Sequence, residues 1–179
     1  MTSSEDTQFD PVVDATLRPK VGEYLVGATS GRGVRVAIVC GRFNGAITTR
    51  LLDAALIALH ESGVDRSDIS VAWVPGAFEI PLVALAYADA ERPYDAVITL
   101  GAVIRGDTGH YEIVAGECAR GVQDVQLSTR VPVVFGVLTT NTTEQALERS
   151  SDDASNKGRE SALAALEMVS ILRQGSLAS

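Results

Sequence analysis

The chain has 179 residues, 46% of them hydrophobic, with 15 Lys and Arg against 23 Asp and Glu, a net charge of -8 and two cysteines. That length fits one domain able to bury its own core, and scattered cations in an acidic chain exclude a nucleic-acid footprint. No apolar run reaches the roughly 20 residues of a membrane helix, and the start MTSSEDTQFD lacks the basic end and apolar stretch of a secretory leader, so a cytoplasmic protein with no membrane partner is expected.

Residues 1–20 are polar and acidic with two prolines and read as a flexible N-terminal arm, which leaves 21–179 as a single domain. Residues 21–26 suit an extra edge strand, one that could be added to a neighbouring subunit. Short apolar runs then alternate with segments of helical spacing: strand 34–40, helix 47–62, strand 68–74, helix 79–90, strand 96–104, helix 111–128, strand 131–138, a short helix 143–150 and a last helix 156–174. In the 111–128 segment, Tyr111, Val114, Ala115, Cys118, Val122 and Val125 form the apolar stripe. Four strands, each followed by a helix, predict an α/β fold: a four-stranded parallel sheet covered on both faces, a three-layer αβα sandwich. Asn141 with Glu144 and Thr142 with Gln145 both fit a capping box before the short helix, so its register is open by one residue. Ala162, Leu163, Leu166 and Val169 share one face of the last helix, and Gly175 stands where it should stop. Cys40 and Cys118 fall on apolar faces without paired or metal-ligand spacing and read as core thiols.

In a parallel sheet the carboxyl ends of all strands meet at one edge, where ligand sites form. After the first strand, Phe43 and Asn44 sit between Gly41 and Gly45, which offers an aromatic able to lie flat on a planar ring; the competing reading makes Phe43 a core plug. After the second, Gly76, Ala77, Phe78 and Glu79 lead into a helix. Glu79 serves there either as a cap favoured by the helix dipole by about 0.3–1 kcal/mol, or as an acceptor for a polyhydroxyl or amine-bearing ligand. After the third strand, RGDTGH joins a strand end to a helix start. Gly106 and Gly109 permit left-handed backbone, and N–H groups around Asp107 and Thr108 would make an anion cradle. The spacing matches neither a Walker loop nor a dinucleotide fingerprint, so a small phosphoester is expected rather than ATP or NAD. Asp107 should contribute through its backbone, because an inward carboxylate would repel a phosphate.

His110 adjoins this cradle, and histidine is the residue type suited to moving protons near neutral pH. His60, mid-helix beside Glu61, reads as structural. After the fourth strand, Arg149 is a bidentate partner for phosphate, and Lys157 could do similar work at longer range. No nucleophile triad, paired-carboxylate site or metal cluster is legible.

RFN at 42–44, GAFEIP at 76–81, GAVIRGDTGH at 101–110, FGVLTTNTTEQALER at 135–149 and NKG at 156–158 resemble the lumazine synthase family, in order from about residue 34 to 172. The resemblance implies a flavodoxin-like fold and a transferase of riboflavin biosynthesis. Its reaction would condense 5-amino-6-(D-ribitylamino)uracil with 3,4-dihydroxy-2-butanone 4-phosphate to 6,7-dimethyl-8-ribityllumazine, with no metal or cofactor. Phe43 would stack on the pyrimidine with Asn44 close by. Ala77 and Glu79, with Phe78 beside them, would hold the ribityl chain, and Ala102, Val103 and Ile104 would line the uracil pocket. Asp107, Thr108 and Arg149, with Lys157, would bind phosphate, and His110 would transfer protons. Phe135 would enter the pocket from the adjacent subunit. The partners implied are the two small-molecule substrates, further copies of the chain, and riboflavin synthase as a candidate protein partner. Gly109 departs from the Thr, Ser or Pro common before the histidine, and SSDDASNKG lacks the glycine-flanked lysine of many capsid-forming members, so a pentamer is the expected minimum unit. The competing functional readings are a lumazine- or flavin-binding paralogue without turnover and an assembly shell.

Overall fold

Alternation within the strands decides which way every layer faces. In the computed structural model, which describes residues 11–178, strands β1 (Val36–Gly41), β2 (Ile69–Val74), β3 (Ala96–Ile104) and β4 (Val133–Thr140) form one all-parallel sheet in the order β2-β1-β3-β4. Val36, Ile38 and Cys40 of β1 and Ile98, Leu100 and Ala102 of β3 pack on one face, while Ala37, Val39 and Val97 pack on the other. β1 and β3 are central and buried along nearly their whole length, as strands covered on both faces must be.

Helices α2 (Gly45–Glu61) and α6 (Lys157–Leu172) cover the first face, and α3 (Ile80–Ala88) and α4 (His110–Thr129) the second. This is the three-layer flavodoxin-like arrangement. Thr142 caps α5 (Thr143–Glu148) by accepting from Gln145 N at 3.3 Å, which resolves the open register in favour of the later residue. The Gln145 side chain reaches back one residue further, its Oε1 accepting from Asn141 N at 2.9 Å. Asn156, fully buried, caps α6: its Oδ1 accepts from Gly158 N at 2.8 Å, and its Nδ2 donates to Ser151 O at 2.8 Å. Cys40 and Cys118 are free and buried, and burial pushes their thiols up to about 12 and about 11.

One N-terminal expectation, the edge strand, meets different structure. Of residues 1–20, the first ten lie outside the described residues; after them Pro11–Leu17 form helix α1, followed by the 3-10 turn Arg18–Lys20, with Asp14 accepting from Arg18 Nε at 2.7 Å. Residues 21–26 are not a strand of this chain's sheet. Their polar groups are engaged by the end of α6 instead: Gln174 Nε2 donates to Val26 O at 3.0 Å, and the Glu23 carboxylate accepts from Ser176 N at 2.9 Å and Ser176 Oγ at 2.6 Å. The segment is therefore tied to the end of α6. Among the described residues no helix is long and apolar enough to cross a membrane.

Candidate active site

The strand order reverses between β1 and β3, and the carboxyl ends of those two strands open a crevice at that point. Three loops are tied together across it. Arg42 N and Phe43 N donate to Val74 O at 2.8 Å and Pro75 O at 3.2 Å, which joins the first loop to the second. Asn44 Nδ2 donates to Ala102 O at 2.8 Å, which joins it to the end of β3, from which the third loop leaves. Asn44 takes a left-handed conformation (φ 58, ψ 43), one that asparagine tolerates better than other side-chain-bearing residues. With the backbone turned this way, Phe43 stands 73% exposed, so it is no core plug.

These loops surround a cleft of about 570 Å³, in the range of a small-molecule site. Phe43, Asn44, Ala77, Phe78, Glu79, Ala102, Val103, Ile104, Thr108 and His110 all line it. Sequence reasoning had assigned each of these to ligand binding or catalysis. Tyr111 and Val114 belong to the expected apolar stripe, which Ile113 does not share, and Val114 does pack partly buried against the core. In fact only Cys118, Val122 and Val125 of that helix are fully buried, and the first turn, with Tyr111, Ile113 and Val114, forms a cleft wall. The available signal was position: the first turn of a helix that opens at a sheet edge faces the ligand crevice rather than the core.

Glu79 is exposed rather than set among buried apolar neighbours, because it sits in the 3-10 turn Ala77–Glu79 at the rim. Its Oε2 accepts from Gly76 N at 2.9 Å, so the cap reading holds for that oxygen, and the side chain still lines the cleft. The glycines of the third loop differ from expectation. Neither Gly106 nor Gly109 has positive φ; Gly109 is at φ -65, ψ 5. A Cβ at either would meet nothing within 4 Å, so the turn forms without left-handed residues and without close packing. Thr108 lines the cleft whereas Asp107 is exposed and does not. His110 is the first residue of α4, whose N-terminal dipole favours a nearby anion.

Phe135, Arg149 and Lys157 are elsewhere. They line a second cleft, of about 370 Å³, beside the edge strand β4 and the start of α6. Phe135 is partly exposed there. Arg149, at the end of α5, donates from Nη1 to Gln145 O at 3.1 Å, and Lys157 Nζ donates to Glu160 Oε2 at 2.6 Å. The two clefts share no lining residue. Within one chain, then, the imidazole and the flat wall are on one side, and the cations with the second aromatic are on the other.

The family model for 6,7-dimethyl-8-ribityllumazine synthase matches residues 33–173. The chain belongs to that family. With membership come lumazine synthase function in broad terms and a transferase's place in riboflavin biosynthesis. The matched span runs from just before β1 to the end of α6 and so contains both clefts whole. Helix α1 and the segment through residue 32 lie outside the lumazine synthase match. Among the described residues no three His, Cys, Asp or Glu side chains gather as a metal site.

Proposed function

We propose that the protein condenses 5-amino-6-(D-ribitylamino)uracil with 3,4-dihydroxy-2-butanone 4-phosphate to give 6,7-dimethyl-8-ribityllumazine. The observation that carries this reading is the joining of three strand-end loops into one cleft that offers an aromatic, a carboxylate and an imidazole together. Phe43, exposed at the rim, stacks on the pyrimidine; Asn44 stays close to the ring; Ala102, Val103 and Ile104 flank it. The backbone at Ala77, the Phe78 ring and the free oxygen of Glu79 hold the ribityl chain. Thr108 and the N-terminus of α4 receive the phosphate, and Asp107 contributes at most its backbone.

An amine of the uracil attacks the ketone and loses water to form an imine. Loss of a proton from the adjacent carbon expels phosphate, the resulting enol becomes a ketone, and the second amine closes the ring with loss of a second water. Each step is a proton transfer between well-placed groups, which His110 can mediate while the cleft supplies orientation.

The second cleft supports an oligomeric site. Arg149, Lys157 and Phe135 belong to one surface, so a neighbouring copy that brings Phe135 to the pyrimidine also brings the two cations to the phosphate. A pentamer, or a multiple of pentamers, closes such a head-to-tail contact into a ring. Riboflavin synthase is the protein partner in this reading, and the cytoplasm is where the small-molecule substrates are met.

The test is direct. Purified protein mixed with both substrates should generate the fluorescent lumazine faster than the uncatalysed condensation; equal rates would leave only a binding role. Arg149→Ala should raise the KM for the phosphate substrate about tenfold, the loss of a single charge-assisted contact, with kcat and the KM for the pyrimidine nearly unchanged. Steady-state kinetics with each substrate varied in turn reads this, and a selective loss of kcat would remove Arg149 from phosphate binding.

A further inference from the structure

The turn that carries His110 has little to hold it. A Cβ at Gly106 or Gly109 would meet nothing within 4 Å, and the turn's own hydrogen bond, His110 N to Thr108 Oγ1, is at 3.5 Å, the outer limit of such a contact. On both sides of the turn, however, a single side chain makes three contacts. Arg105, directly after β3, donates from N to Thr140 O at 2.9 Å and so extends the β3–β4 ladder by one residue. Its guanidinium then donates from Nε to Asn141 Oδ1 at 3.0 Å and from Nη1 to the Glu112 carboxylate, while Cζ lies 4.1 Å from the centre of the Tyr111 ring. Asn141 is itself fixed through its backbone N to Gln145 in α5. Tyr111 and Glu112 are the two residues after His110, and Tyr111 forms part of the cleft wall.

The geometry points to Arg105 as a positioning residue: by fastening Tyr111 and Glu112 to the ends of β3 and β4, it sets the direction of the first turn of α4 and thereby the place of the His110 imidazole. This deepens the reaction proposed above and rests on it. A planar guanidinium suits the task, since it gives in-plane N–H groups to two acceptors and its face to a ring. The Glu112 carboxyl is held below its ordinary range by that hydrogen bond, so the pair is charged at neutral pH. Both ions are largely exposed, and exposed pairs add little to global stability. The contribution therefore appears in the geometry of the turn, where small misplacements of a catalytic group are costly.

Arg105→Met, in the full chain, keeps the bulk and removes the polar contacts. Amide exchange measured without substrate should quicken about tenfold at residues 113–117, the first hydrogen-bonded amides of α4, a local opening, and stay as in the wild type in α6. With both substrates, kcat should fall about tenfold and each KM stay within about twofold. Arg105→Lys, which can still meet Glu112 but neither the ring nor Asn141 in the same way, should recover part of kcat. Glu112→Gln should lower kcat in the wild type and add little on top of Arg105→Met, as coupled residues do. Unchanged exchange at 113–117, a kcat within twofold of wild type, a raised KM at unchanged kcat, or faster exchange throughout the chain would each overturn the assignment. A wild-type protein without turnover would instead sink the proposed reaction, and the exchange measurement, which needs no substrate, would still decide whether Arg105 holds the turn.

Discussion

Gly158→Ala is expected to destabilise the protein by about 3 kcal/mol, the upper end of what overpacking commonly costs. An added Cβ would stand 1.9 Å from Leu51 O and 2.6 Å from Leu51 C, both backbone atoms in the middle of α2. No rotamer change can relieve that clash, so α2 and α6 would have to move apart. They cover the same face of the sheet, over Ile38 and Leu100, with Leu166 of α6 in the same cluster, and separating them opens voids in the larger core cluster. Gly158 N is also the group that the Asn156 side chain caps, so the shift would strain that bond too. The contrast is Gly116→Ala in α4, where an added Cβ meets nothing within 4 Å and better helix propensity should add about 0.5 kcal/mol. Urea unfolding of both variants reads the difference. A wild-type midpoint for Gly158→Ala would mean that the two helices are not in backbone contact.

The second large effect is catalytic. His110→Ala should lower kcat about 10²-fold, the lower end of general acid–base contributions, while the KM of each substrate changes by less than about threefold. His110 is the one imidazole lining the cleft, and groups assigned to hold the substrates, Phe43 and Glu79 among them, come from other loops. Binding should therefore outlast the loss of turnover. His60, exposed in the last turn of α2 and absent from the cleft, provides the matched control, and His60→Ala should leave both constants unchanged. Steady-state rates followed by lumazine fluorescence give the comparison. If His110→Ala weakened binding and left kcat intact, the imidazole would be a ligand contact and the proton would move by another route.

Much of this was legible before any coordinates. The strand centres stand out because runs such as AVITLGAVI are too short and too apolar to be anything but buried strands, and the expected span of 96–104 is that of β3. Because the strands are parallel, their carboxyl ends had to share one edge, and that alone gathered Phe43, Glu79 and His110. Legibility ended where the answer depends on which elements are neighbours. Sequence cannot show that β4 is an edge strand, and so it cannot tell that one chain keeps Arg149 and Lys157 in a separate cleft from Thr108. It assigned left-handed backbone to Gly106 and Gly109 because glycine permits it, whereas the residue at this rim that adopts it is Asn44, held by Ala102 O across the sheet. Residues 21–26 have strand-like composition, but the end of α6 engages their polar groups first. Gly158, within the NKG run, carries a packing role that no local pattern reveals, since its partner is more than a hundred residues earlier in the chain.

In the proposed reaction each working site is built from the first cleft of one copy and the second cleft of another. Co-expression of His110→Ala and Arg149→Ala chains, assayed well below the KM of the phosphate substrate, tests it most directly. Random assembly in a ring should return about a quarter of the wild-type activity, because about one interface in four pairs an intact His110 with a neighbour's intact Arg149. Activity no higher than the mean of the two separate variants would show that both residues must come from the same chain, and would contradict the account.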